Sequence, residues 1–199
     1  MSNTNTQTHS HMALLVMDMQ VGIVTRYAQV GDLLTTISTA ITAARAASIP
    51  VIYVAVAFRP GYPEISPRNK SFSAVKQQQS SLSAPMITPE IHPAIAPLPT
   101  DIVVTKRRVS AFSGSDLEVV LRAQGISHLV LCGIATSGVV LSTLREAADK
   151  DYQLTVLADC CVDNDEEVQR VLLTKVFPRQ ADVVQASAWR TKLNAGELQ

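Results

Sequence analysis

Three places in the chain carry groups able to move protons or hold a polar atom. Asp18 follows the apolar run MALLVM, Met12–Met17, and Lys106 follows DIVVT, Asp101–Thr105. The third is LVLCGIATSGVVLSTLREAAD, Leu129–Asp149, which passes from an apolar run through Gly133 into a helical pattern. A carboxylate beside an ammonium is either a structural ion pair or an acid whose pKa its partner tunes for proton transfer in a cleft. A strand that turns directly into a helix aims backbone N–H groups and the positive end of the helix dipole at one point. That point suits a carboxylate, a developing oxyanion or a polarised carbonyl. Such turns also occur with no chemistry attached, so their meaning depends on what the fold brings to them.

The elements that must position these groups follow from periodicity. Strands are predicted at Met12–Met17, Val51–Ala57, Asp101–Thr105, His128–Cys132, Gln153–Ala158 and Ala181–Val184. Gly133 breaks the fourth, and Asp159 is expected at the tip of the fifth. Leu33, Leu34, Ile37, Ala40, Ile41 and Ala44 recur at helical spacing, which predicts a helix from Asp32 to Ser48. Ser115 or Asp116 is expected to cap a helix ending at Gln124 before Gly125, and Asn164 or Asp165 to open one reaching Val176. Thr136 and Ser137 are the natural caps of the helix whose stripe is Val140, Leu144, Ala147 and Ala148. Ala186–Leu193 reads as a final helical turn. Strands alternating with helices imply a three-layer α/β/α sandwich around a six-stranded parallel sheet, in which ligands bind beyond the carboxyl ends of the strands. Only that sheet brings Asp18, Lys106 and the Gly133–Val139 turn together.

Bulk properties narrow the function. Of 199 residues 47% are hydrophobic, and 17 Lys and Arg balance 17 Asp and Glu, with no basic stripe. Nucleic acid and membrane are therefore not expected partners. Residues 1–11, with His9 and His11, read as a floppy tail without the apolar core of a leader, and residues 12–199 as a single domain. Cys132, Cys160 and Cys161 suit neither a disulfide framework nor a zinc site, so a cytoplasmic setting is expected. Residues 59–99, rich in proline and serine, read as a loop covering or bordering the site.

From Ala13 to Val184 the chain resembles the isochorismatase-like hydrolases. The resemblance rests on LLVMDMQ (Leu14–Gln20), TKRRVSAFSGSDLEVVLRAQGI (Thr105–Ile126), LVLCGIATSGVVLSTLREA and VLADCCVD (Val156–Asp163). It implies a six-stranded parallel sheet, a non-proline cis peptide at Ile134–Ala135, and a site built on Asp18, Lys106 and a third position. In the cysteine hydrolases of that superfamily the third position, three residues after the turn threonine, holds the nucleophile. Here it is Val139. A valine forms no thioester, so acyl transfer through a thiol is lost. Phe58-Arg59-Pro60 also stands where nicotinamidases carry Asp-x-His, so neither metal nor other cofactor is expected.

Isochorismatase itself lacks the cysteine, and its reaction cleaves a vinyl ether with an acid and a water. On that precedent Asp18 is the acid and Lys106 its partner, while the N–H groups of Ala135 and Val139 hold a polar group or the water. Gln20, Arg59, Phe112, Ile134, Thr136, Ser137 and Gly138 are the candidate substrate-binding residues. Arg59 is also readable as a solvated surface residue, and Gln20 and Phe112 as packing or loop residues. The expectation is a small-molecule hydrolase, as a homo-oligomer. The alternative is a non-catalytic small-molecule-binding or scaffold member of the same fold.

Overall fold

A computed structural model describes residues 11–27, 30–80 and 89–197. Six parallel strands form one sheet in the order β3-β2-β1-β4-β5-β6. They are β1 (Met12–Met17), β2 (Val51–Val56), β3 (Ile102–Lys106), β4 (His128–Ile134), β5 (Gln153–Val162) and β6 (Asp182–Val184). Around them lie helices α1 (Val21–Val24), α2 (Val30–Ala46), α3 (Lys70–Ser80), α4 (Leu117–Ala123), α5 (Leu141–Ala148), α6 (Glu166–Val171) and α7 (Ala186–Ala195).

The sheet is covered on both faces, which is why its central strands are apolar throughout. Alternate residues divide between the two faces. Leu14, Val16, Tyr53, Val130 and Cys132 pack under α2 and α7, with Ile37, Ile41 and Trp189. Ala13, Leu15, Met17, Ile52, Val54, Leu129 and Leu131 pack under α4 and α5, with Leu117, Leu121 and Leu144. Burying Leu14, Leu15, Ile37 or Leu121 completely contributes roughly 1.5–3 kcal/mol each.

Several sequence expectations need correction. Gly133 does not end β4, which continues to Ile134. Instead the β4–β5 register shifts between Leu131 and Gly133, after which Gly133 pairs with Cys161 and Ile134 with Val162. β5 therefore runs to Val162, and Asp159 lies inside it, accepting from the Ala186 N–H at 2.8 Å to fix the start of α7. The 59–99 stretch contains α3, and Glu90–His92 returns to pair with Met19–Val21 beside Asp18. Phe58, Ile65 and Phe72 pack against Val56 there, so the segment borders the C-terminal edge of the sheet. Of the expected tail only His11 is described: its carbonyl accepts from the Ser127 and His128 N–H groups at 2.8 and 2.9 Å. Residues 1–10 lie outside the described residues.

Asp165 caps α6, accepting from the N–H groups of Glu167 and Val168. Asp116 occupies the cap position of α4 without a side-chain bond, and Ser115 Oγ accepts from Leu117 N–H instead.

Candidate active site

Asp18 stands where β1 ends, between its two neighbours in the sheet. Its N–H donates to Val54 O of β2 at 2.8 Å, and its φ of 55° turns the chain out of the sheet. On the other side β4 approaches closely enough that a Cβ on Gly133, whose φ is 139°, would lie 2.1 Å from Met17 O. Only glycine fits there. Gln20 reinforces this corner. It is fully buried, its Nε2 donates to Val56 O at 3.0 Å, and its Oε1 accepts from Val56 N–H at 2.7 Å. It thus occupies the ladder position beside the end of β2.

Lys106, the last residue of β3, reaches across β2. Its Nζ lies 2.8 Å from Asp18 Oδ2 and also donates to the carbonyls of Val109, at 2.7 Å, and Arg108, at 3.1 Å. Asp18 is 7% exposed and Lys106 1%. Desolvation outweighs the nearby ammonium and pushes the Asp18 carboxyl up to about 6. Its second oxygen, Oδ1, is buried without a hydrogen-bond partner. A buried carboxylate with an unfilled acceptor and a pKa near neutrality is suited to carrying a proton.

The Ile134–Ala135 peptide is cis, and Ala135 O accepts from the N–H groups of Gly138 and Val140. Neither Thr136 nor Ser137 caps the next helix as expected. Ala135 takes the cap position of the helical turn Thr136–Val140 that leads into α5, Val140 takes that of α5, and Thr136 Oγ1 is buried without a partner. The Ser137 N–H donates to Asp163 Oδ2 at 2.7 Å, a bond made possible because β5 extends to Val162 and leaves Asp163 beside the turn. Gly138 has non-helical angles, φ −95° and ψ −105°, between the turn and α5. Val139 is buried in the core under α4 and α5.

Two expected site residues have other partners. Arg59 is exposed and paired with Glu64 at 2.6 Å. Glu64 also faces Arg107 at 3.6 Å, and its carbonyl accepts from Arg108 at 2.9 Å, so the three arginines share one anchor. Phe112 packs against Tyr152, 5.9 Å between ring centroids, with the Lys150 ammonium 5.5 Å from its ring centre. Because Tyr152 directly precedes β5, that packing faces the start of the strand. Sequence reasoning missed Asp163 and Tyr27, which with Gln169 and Arg170 line a cleft of about 410 Å³ at the end of β5. Placing the end of β5 correctly would have brought Asp163 into view.

Residues 12–188 match the isochorismatase domain family. The chain belongs to the isochorismatase family. It is 34% identical over 179 residues to the isochorismatase family protein YwoC of Bacillus subtilis, covering 90% of this chain and 92% of that one. It is 37% identical over 140 residues to the ureidoacrylate amidohydrolase RutB of Pseudomonas syringae, covering 65% of this chain and 57% of that one. Among solved structures, an isochorismatase family protein from Burkholderia thailandensis superposes with a TM-score of 0.78 at 31% identity, covering 93% and 96% of the two chains. N-carbamoylsarcosine amidase from Thermoplasma acidophilum shares the fold, with a TM-score of 0.68 at 24% identity over 88% and 96% of the two chains. The isochorismatase family to which this chain belongs is one of hydrolases of small molecules. Among the described residues, no group of three or more His, Cys, Asp or Glu is arranged to hold a metal ion, and no helix is long and apolar enough to cross a membrane.

Proposed function

We propose that this isochorismatase-family protein hydrolyses a small enol ether with Asp18 as its proton carrier and without a thiol nucleophile. The observation that carries the reading is the buried pair of Asp18 and Lys106 at 2.8 Å, with the carboxyl raised to about 6. At neutral pH roughly a tenth of such a group is protonated, enough for a general acid. Asp18 gives its proton to the enol carbon. A C–H bond forms from the C=C electron pair, and the adjoining carbon becomes an oxocarbenium ion. Water adds to that carbon and returns a proton to the Asp18 carboxylate. The hemiketal then collapses to a ketone and an alcohol. Lys106, held by two carbonyls, fixes the carboxyl's direction and limits how far its pKa rises. The Ala135–Val139 backbone borders the reacting atoms and is suited to orienting the water.

The cysteines support a mechanism without a thiol. All three are buried; desolvation raises the Cys132 and Cys160 thiols far above their ordinary range and pushes Cys161 up to about 12. Turnover is accordingly expected to survive treatment with iodoacetamide. The decisive variant is Asp18→Asn, which keeps the shape and removes the proton. On a panel of enol ethers and amides, kcat is expected to fall by roughly 10²–10⁴. An Asp18→Asn protein as fast as wild type would overturn the reading. If wild type hydrolyses none of the panel yet is thermally stabilised by one of its members, the protein is the binding-only member of the fold.

A further inference from the structure

The cleft at the end of β5 lies outside the Asp18–Lys106 pair. Asp163 lines it and ties it to the turn after the cis peptide, its Oδ2 accepting from the Ser137 N–H. Tyr27 also lines the cleft, and burial, with the carboxylates of Asp163 and Asp18, raises its phenol. The volume of about 410 Å³ falls within the range of small-molecule pockets.

The chemistry of the lining has a definite sense. The Ser137 N–H, which could otherwise receive an anion, is already taken by Asp163. Gln169 Nε2 donates to Cys161 O at 2.9 Å, which turns Oε1 away from that carbonyl and leaves it a buried acceptor with no donor. The Arg170 guanidinium, on an exposed side chain, is paired with both oxygens of Glu167, at 2.9 and 2.7 Å, so its charge is already balanced within the protein. Glu166 adds a second carboxylate to the wall. What the cleft offers is therefore acceptors and negative charge.

We infer that this cleft receives the part of the substrate remote from the reacting bond, and that Asp163 selects there a group that donates hydrogen bonds, a protonated amine or an amide N–H, over a carboxylate. The inference takes its orientation from the reading of Asp18 as the reacting group. It extends that reading by naming what the rest of the substrate carries. Opposite charges attract and like charges repel more strongly where water is partly excluded, so reversing the ligand's charge is expected to change affinity by about tenfold or more.

The test uses three probes of one length: 3-phenylpropylamine, 3-phenylpropionamide and 3-phenylpropionate. Binding is measured by titration calorimetry on the Asp18→Asn protein, so the result is independent of turnover. The amine and the amide are expected to bind at least tenfold more tightly than the carboxylate. Asp163→Asn keeps an oxygen for the Ser137 N–H while removing the charge, and is expected to reduce the preference for the amine at least fivefold. Asp163→Lys is expected to reverse the order of amine and carboxylate, with a thermal melt confirming that each variant is folded. Equal or tighter binding of the carboxylate, an order unchanged in Asp163→Asn, or no binding of any probe would overturn the inference. The reading of Asp18 fails separately, if Asp18→Asn retains full turnover.

Discussion

Strand β3 carries an ion pair at each end, and the two differ in kind. At its start Asp101 pairs with Arg45 of α2 and also accepts from Leu98 N–H at 2.7 Å, while Arg45 lies 3.4 Å from the Tyr53 hydroxyl. That carboxylate serves the backbone that leads into the strand, and the Arg45 side chain is 30% exposed. At its end Lys106 pairs with Asp18, with 2% and 10% of the two side chains exposed, and one Asp18 oxygen has no partner. The first pair uses its carboxylate to hold chain segments together. The second keeps a desolvated carboxyl with spare capacity. Identical charge chemistry therefore yields an anchor at the amino end of the strand. At the carboxyl end, where parallel sheets bind ligands, it leaves a buried carboxyl with an open acceptor, the group proposed as the proton carrier.

The sharpest way to break this comparison is to remove the second cation. Lys106→Met leaves Asp18 buried without its opposite charge, which costs on the order of 3–5 kcal/mol if the carboxyl stays ionised. The carboxyl escapes that cost by taking up a proton, so its pKa is expected to rise above 6. Urea unfolding at pH 8 and pH 5 checks this: the loss of stability is expected to be larger at pH 8. Turnover of any enol ether the wild type accepts is expected to fall by roughly 10² or more.

pH separates the pairs next. The folded-state pKa of Asp18, about 6, lies above its ordinary value of 3.8. Between those values the folded protein holds more protons than the unfolded chain, so stability falls as pH rises through that window, by on the order of 1 kcal/mol or more. Asp18→Asn is expected to flatten that part of the stability–pH curve. An acid must be protonated to act, so kcat/KM is expected to be level below pH 6 and to fall tenfold per unit well above it. A profile that instead rises through pH 6 would make Asp18 a base.

What the sequence disclosed and what it concealed follow from the same physics. Apolar runs such as Met12–Met17 announce strands buried on both faces, and strand-end polar residues then point to Asp18 and Lys106. Features that depend on register were hidden. The shift beside Gly133 extends β5 to Val162 and sets Asp163 against Ser137, and no residue-type pattern records a register shift. Side-chain direction was equally hidden. Gln20 turns to Val56 and Phe112 to Tyr152. Helix α3 has a polar, low-contrast sequence, and among proline-rich neighbours its pattern is weak.

The smallest effect is expected at the other end of β3. Asp101→Asn keeps an oxygen able to accept from Leu98 N–H and removes only the charge facing Arg45. That pair is partly open to water on the arginine side, so its loss is expected to lower stability by about 1 kcal/mol. The folded site should be untouched, since Lys106 lies at the far end of the strand and takes its partners from Asp18, Arg108 and Val109. A thermal melt a few degrees lower, with kcat/KM and its pH profile unchanged, is the expected outcome. A change in the pH profile would mean that the two pairs communicate along β3, and the division of anchor from proton carrier would fall.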